Sequence, residues 1–196
     1  VTADLWQGLT PPYGTIVIDP PWQYNVTKGL PTNGYKPSTA EAHYSTMTMA
    51  EVAALPVGDL ATTDAHLYMW VTNPRLFGDR NDRGWSPLAI AEAWGFEYKT
   101  LLTWAKTGSL GMGWWFRGAT EHVLFCARPG APSIGAALRE PNLFTAPRRR
   151  HSEKPGVFFD LVERVSPGPR AELFARQPRL GWDSWGHGYE AARLPT

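Results

Sequence analysis

The chain has 196 residues, a formal net charge of +1 and a single cysteine, Cys126. One cysteine excludes both a disulfide framework and a cysteine zinc site within the chain, and the near-neutral balance gives no global electrostatic case for a nucleic-acid partner. No apolar run is long enough to span a membrane and no signal-peptide pattern opens the sequence, so the expectation is one domain over residues 1–196 in a reducing cytoplasm.

In chain order, residues 15–18 form the first apolar, strand-like run, and residues 24–43 are irregular. Thr48 and Glu51 have the spacing of a capping box and predict a helix over 48–55. Residues 65–71 read as a strand. Ser86, Pro87 and Gly95 supply an N-cap, a first-turn proline and a stop, which predict a helix over 87–94. Residues 98–104 and 121–126 are further strands, separated by the glycine-rich stretch 108–118, which fits no period and reads as a mobile loop. Cys126 sits in an apolar run and reads as a small core residue. Residues 127–153 are again irregular. A helix follows over 154–165, with Val157, Phe158, Leu161, Val162 and Val165 on one face. Residues 170–174 form the last strand. Short apolar strands alternating with helices argue for an α/β fold with a mainly parallel sheet. Long irregular stretches in such a domain are usually lids or binding loops.

The most informative stretch is Asp19-Pro20-Pro21-Trp22, directly after the first strand. In an α/β fold this is the carboxyl end of the sheet, where ligands bind. Two prolines stiffen the backbone and remove two N–H donors, leaving carbonyls as acceptors. A carboxylate, carbonyls and a flat aromatic suit a planar amine, such as the exocyclic amino group of a nucleobase. That nitrogen is a weak nucleophile because its lone pair is delocalised into the ring. Acceptors on both its N–H bonds, from Asp19 and Pro20, would draw it toward tetrahedral geometry while Trp22 stacks on the base. The four residues alone accommodate adenine, cytosine or a protein amide, and a non-catalytic binding subunit is the competing class.

Further segments extend the pattern: His43-Tyr44-Ser45-Thr46-Met47, Leu55-Pro56-Val57, Leu67-Tyr68-Met69-Trp70-Val71-Thr72-Asn73, Ala93-Trp94-Gly95-Phe96, Trp104-Ala105-Lys106, Glu121-His122, His151-Ser152-Glu153-Lys154-Pro155, Glu172-Leu173-Phe174-Ala175-Arg176 and Gly181-Trp182-Asp183-Ser184-Trp185-Gly186. With these in order over nearly its whole length, the chain resembles the MT-A70 family of S-adenosylmethionine-dependent adenine-N6 methyltransferases. The resemblance implies a Rossmann-like methyltransferase fold: α/β, with a doubly wound, mainly parallel sheet and circularly permuted motif order. The catalytic strand then lies near the N-terminus and the cofactor strand, 170–174, near the C-terminus. Little chain follows that strand, so the rest of the sheet is expected to be minimal or supplied partly by residues 1–6.

The resemblance also implies roles. Methyl transfer from S-adenosylmethionine to adenine N6 would proceed without a covalent enzyme intermediate, with Asp19, Pro20, Pro21 and Trp22 as catalytic residues and Asp19 also facing the cofactor. Lys154 is expected on the methionine carboxylate, at a helix N-terminus that itself favours an anion. Arg176 is expected on the ribose hydroxyls, with Glu172 beside it and Phe174 against the adenosine. Asp4 and Leu5 match the family's short acidic segment along the adenine. His187 stands where the family usually has an amide, and Gln177-Pro178-Arg179 where members often carry basic residues; Pro178 has no N–H to donate. Arg148, Arg149 and Arg150 are expected on phosphates, and Trp114, Trp115 and Arg117 on unpaired bases, because an enzyme acting on a base extrudes it or uses a single strand. The histidines lack ligand spacing, so no metal is expected. The compact chain carries no appended RNA-binding or zinc-finger module and resembles small bacterial or phage-type members. DNA is therefore the expected polymer and RNA the alternative. A homodimer or a hetero-partner is compatible with the sequence.

Overall fold

The computed structural model describes residues 5–23, 46–78, 84–108, 110–111, 115–148 and 153–186. Its strands are β1 (Tyr13–Ile18), β2 (Ala61–Val71), β3 (Glu97–Thr107), β4 (Thr120–Ala127), β5 (Leu143–Pro147), β6 (Arg170–Leu173) and β7 (Trp182–Trp185). Its α-helices are α1 (Met49–Ala53), α2 (Pro87–Ala93) and α3 (Gly156–Val165). The strands form one sheet in the order β5-β3-β4-β2-β1-β6-β7. β1 pairs in parallel with β2 and β6, β6 with β7, and β3 with β5. β4 runs antiparallel to both of its neighbours, β2 and β3. The sheet is therefore mainly parallel with one reversed strand among those described.

The pleat divides the core into two layers. Ile16, Ile18, Leu67, Met69, Leu124 and Cys126 point to the face covered by α1 and α2, through Met49, Val52, Ile90 and Ala91. Val17, Tyr68, Trp70, Val123 and Phe125 point to the other face, where α3 contributes Phe158, Phe159, Leu161 and Val162. Strands buried on both faces read as continuous apolar runs, and helices on both faces make the sheet doubly wound. Each of these large side chains contributes about 1.5–3 kcal/mol on burial.

Local signals in the sequence set the helix starts. The Thr48 side chain accepts from the Glu51 N–H at 3.2 Å while the Glu51 carboxylate accepts from the Thr48 N–H at 2.8 Å, completing the capping box of α1. The Ser86 hydroxyl oxygen accepts from the Ala89 N–H at 3.2 Å, with Pro87 opening α2. After α2 the chain turns at Gly95, whose φ of 81° is in the left-handed region that favours glycine.

Two strands lie outside the sequence reading. β5 falls inside the stretch read as irregular, and its residues alternate between exposed and buried, with Phe144 and Ala146 turned inward. It ends in Pro147, which an edge strand tolerates because one side of its backbone has no ladder to donate to. β7 completes the far edge, so the sheet is closed by residues after the cofactor strand. Residues 5 and 6 are in a turn and supply no strand.

The topology marks one position. From β1 the chain passes to β2 on one side, whereas from the adjacent β6 it passes to β7 on the other. Neighbouring parallel strands whose connections diverge open a crevice at their carboxyl ends. Asp19 follows β1 directly and Phe174 follows β6.

Candidate active site

Asp19 is fastened to this crevice by its backbone, whose N–H donates to the Leu173 carbonyl at 3.3 Å. Its carboxylate meets the Lys154 ammonium at 3.1 Å. Lys154, just before α3, is shared: its Nζ also donates to Glu121 Oε2 on β4 at 3.0 Å. Glu121 in turn accepts from Lys106 of β3 through Oε1 at 2.5 Å. The result is a row of alternating charge from the end of β1 to the end of β3. The Lys154 ammonium also lies over the Trp70 ring, 4.6 Å from its centroid, and Lys106 lies 4.9 Å from that of Trp104. Cations over indole faces gain from the ring quadrupole.

This row is nearly dry: the side chains of Lys154 and Asp19 are 9% and 16% exposed. Burial raises the Asp19 pKa, and the charge of Glu121 adds to it; Lys154 pulls the other way without cancelling them. Burial alone would lower the Lys154 pKa, but Asp19 and Glu121 outweigh it and hold the ammonium charged. For Glu121 burial acts upward, and Lys154 and Lys106 together bring the pKa below the ordinary carboxylate value.

The stiff segment after Asp19 is used differently from the sequence expectation. The Pro20 carbonyl accepts the Trp22 N–H at 2.8 Å, closing a tight turn, and keeps its second lone pair. The Pro21 carbonyl accepts from Met47 at 2.8 Å, and Gln23 donates back to Met47 at 3.0 Å. Residues 21–23 and 46–48 are thereby tied across the intervening segment. Trp22 is 4% exposed and packs in the layer of Ile18, Met49 and Val71. Its indole N–H donates to the Trp70 carbonyl at 3.0 Å. The open stacking face expected of Trp22 is thus not presented: the tie to Met47 draws the ring into the core, where the indole stiffens the turn behind Asp19.

Next to Asp19 is a cavity of about 160 Å³ lined by Lys154, Gly156, Phe159, Glu172, Arg176 and Arg179, among others. It joins Asp19, Lys154, Glu172 and Arg176, which the sequence reading placed in one site. Burial, then the charge of Asp19, pushes the Glu172 carboxyl up to about 7, while Arg179 and Lys154 oppose this. Arg179 lies over Phe159, its guanidinium carbon 3.9 Å from the ring centroid, and its buried Nε has no hydrogen-bond partner. Phe174 does not line this cavity. It sits at φ 60° and turns its ring to Trp185, 5.2 Å away, which in turn meets Trp6 at 4.8 Å. Leu5 is 39% exposed beside that aromatic group. The motif of residues 181–186 is mainly structural. Trp182 donates to Glu163 at 2.7 Å, and Asp183 accepts from Tyr13 at 2.5 Å. Gly186 lies so close to β6 that a Cβ would fall 2.4 Å from the Ala175 carbonyl oxygen.

The β3–β4 connection rises from the same rim. Gly111 donates to the Gly118 carbonyl at 2.8 Å, closing the loop, and leaves Trp115 and Phe116 94% and 91% exposed. Arg117 is turned back, its Nε donating to the Gly111 carbonyl at 2.7 Å, so it braces the loop rather than reaching outward. Arg148 is exposed directly after β5, whose end pairs with the end of β3. The expectations on Asp4, Trp114, Arg149, Arg150 and His187 lie outside the described residues. Among the described residues no group of histidine, cysteine and acidic side chains could hold a metal ion, and no helix is long and apolar enough to cross a membrane.

Sequence reasoning did not assign roles to Glu121, Lys106, Trp70 or Arg179. A signal existed for the first two: acidic and basic residues at the adjoining ends of otherwise apolar strands, brought together by a register that sets Trp104 opposite Glu121.

The chain is 32% identical over 187 residues to the type II methyltransferase M.MunI of Mycoplasma sp, covering 89% of this chain and 76% of that protein. It is 28% identical over 192 residues to the N(6)-adenosine-methyltransferase MT-A70-like protein of Drosophila melanogaster, covering 93% of this chain and 28% of that one. To the N(6)-adenosine-methyltransferase catalytic subunit METTL3 of Homo sapiens it is 26% identical over 192 residues, 93% of this chain and 29% of the other. The chain thus spans most of the first relative and under a third of the other two. The family profile of MT-A70 matches residues 13–188, which takes in every described strand, and the chain belongs to the MT-A70 family.

Proposed function

We propose that the chain transfers a methyl group from S-adenosylmethionine to the N6 amine of adenine in nucleic acid, with DNA as the favoured polymer. One observation carries the reading: a buried carboxylate, Asp19, stands at the switch point of the sheet, 3.1 Å from Lys154 and on the wall of a charged cavity. The match to a type II methyltransferase over most of both chains favours DNA.

The residues present fit the methyl donor. Its sulfonium and ammonium carry positive charge, and Asp19 and Glu172 face the cavity with carboxyls whose pKa burial raises by penalising their charge. A cation among them offsets that cost. Its carboxylate and ribose hydroxyls call for donors, and Arg179, Lys154 and Arg176 line the cavity as cationic donors. When bound, the donor supplies an electrophilic methyl group.

The protein's own work is to orient and to take a proton. Asp19 accepts one N–H of the amine, and the free lone pair of the Pro20 carbonyl accepts the other. Drawing on both N–H bonds localises the nitrogen lone pair and aims it, which is catalysis by positioning and fixed dipoles. As the nitrogen gains a methyl group it must lose a proton. Asp19, with its raised pKa, is the nearest acceptor. No covalent bond to the enzyme is needed. Trp115 and Phe116 at the rim offer stacking surfaces for bases displaced around the target, and Arg148 offers a phosphate contact.

The test is transfer of labelled methyl from S-adenosylmethionine to adenine-containing DNA and RNA oligonucleotides, comparing wild type with Asp19→Ala. The reading predicts transfer by wild type and loss of at least two orders of magnitude in the variant. Equal activity would sink the assigned mechanism.

A further inference from the structure

Asp19 does not have its lysine to itself. Lys154 sits 3.1 Å from Asp19 and 3.0 Å from Glu121, and Glu121 is itself held by Lys106 at 2.5 Å. Glu121 does not itself line the cavity and makes contact with Asp19 only through Lys154. It comes from a different strand, β4, two pairings away from β1 in the sheet. A lysine paired with one carboxylate alone compensates that charge in full and weakens its hold on a proton. A lysine divided between two carboxylates leaves each only partly satisfied.

We propose that Glu121 is a positioning residue for the reaction: by holding Lys154 from the far side, it keeps Asp19 from closing into a private ion pair and leaves that carboxylate available to the incoming amine and its departing proton. This rests on the functional reading above.

Among the described residues, the charged groups that bear on the pair come from several elements. They are Asp19 after β1, Lys106 on β3, Lys154 before α3, and Glu172 and Arg176 at β6. His122, next to Glu121, points to the opposite face, where its Nδ1 meets the Thr103 hydroxyl at 3.0 Å and its Nε2 meets Asn73 Oδ1 at 2.9 Å. Burial lowers its pKa, so it is neutral near pH 7. The negative charge of Glu121 bears on Asp19 directly and through the lysine, and Lys106 partly offsets it.

Two variants should therefore move Asp19 in opposite directions. Glu121→Gln gives Lys154 wholly to Asp19 and removes a nearby negative charge, so Asp19 should titrate lower. Lys106→Met keeps the stem over Trp104 but leaves Glu121 less compensated, so Asp19 should titrate higher. Two readouts apply. One is the titration of the Asp19 carboxyl carbon by NMR in the donor-free protein, assigned with Asp19→Asn. The other is the acid limb of kcat against pH. The expected shifts are at least about half a pH unit, roughly threefold in proton affinity, downward for E121Q and upward for K106M, in both readouts. A purely structural role would lower kcat at every pH and leave the limb in place.

Asp19 titration unmoved in both variants, or moved in the same direction by both, would overturn the proposal. If E121Q does not fold, K106M carries the test, since Lys154 keeps both of its carboxylates there. Methyl transfer by wild type with an unmoved limb would overturn the positioning role alone. Shifted titrations in a protein that transfers no methyl group would overturn the functional reading, and this role with it.

Discussion

Lys154 stands between Asp19 and Glu121, 3.1 Å from one and 3.0 Å from the other, with its ammonium over the face of Trp70. One cation thus joins the end of β1 to β4 across the sheet, and it comes from the residue that leads into α3. Removing it would leave Asp19 buried without its ion-pair partner and Glu121 with Lys106 alone. Lys154→Met should therefore cost about 3–5 kcal/mol near pH 8. The loss should shrink near pH 5, where the carboxyls can take up protons. Urea denaturation at the two pH values checks this; equal losses at both would show that the ion pairs matter little.

Glu172 gives a pH dependence with a defined sign. Its carboxyl is pushed up to about 7 in the fold, from an ordinary value of 4.5. The folded state then binds this proton more tightly than the unfolded chain. Stability without donor should fall as pH rises from about 4.5 to about 7, and level off above that. At 1.36 kcal/mol per unit this amounts to roughly 3 kcal/mol at most. Glu172→Gln should flatten that slope. Donor affinity should change in the opposite sense, rising through the same window as the carboxylate forms and meets a cation. Denaturation curves and calorimetry from pH 4 to 8, with and without S-adenosylmethionine, measure both.

Trp115 and Phe116 are exposed on nearly all sides, so replacing them with alanine should leave the melting temperature unchanged. Stacking on an unpaired base is worth about 1–3 kcal/mol. Each alanine variant should weaken oligonucleotide binding by about 5- to 150-fold in fluorescence anisotropy, with donor affinity unaltered. Unchanged oligonucleotide affinity would remove the loop from the nucleic-acid surface.

Gly186 closes the carboxyl ends of β6 and β7, where Ala175 donates to the Trp185 carbonyl at 2.9 Å. A methyl group there would meet backbone at 2.4 and 2.8 Å. Gly186→Ala should destabilise by about 1–3 kcal/mol and loosen the segment that carries Arg176 and Arg179. Thermal melting and donor binding should both fall. A variant with wild-type values in both would show that the approach is relaxed at no cost.

Much of the frame was legible from local sequence. The capping box at Thr48 and Glu51, the proline start of α2 and the apolar runs of β1, β2 and β4 each depend on neighbours along the chain. β5 and β7 were not legible: Leu143–Pro147 has two inward residues and a proline, and Trp182–Trp185 is short and half polar. The Asp19 site divides the same way. Asp19, Lys154 and Glu172 could be placed by motif and by position at strand or helix ends. The sharing of Lys154 by Glu121 could not, because it depends on the β3–β4 register and on how α3 docks. Trp22 was read as a stacking face because sequence shows an aromatic after a strand, but not the bridge to Met47 that turns it inward.

The central claim is the identity of the methylated atom. DNA incubated with the protein and S-adenosylmethionine, digested to nucleosides and analysed by mass spectrometry, tests it directly. The account predicts N6-methyldeoxyadenosine with wild type and none above background with Asp19→Ala. Methylated cytosine in its place, or no methylated nucleoside in either DNA or RNA, would contradict it.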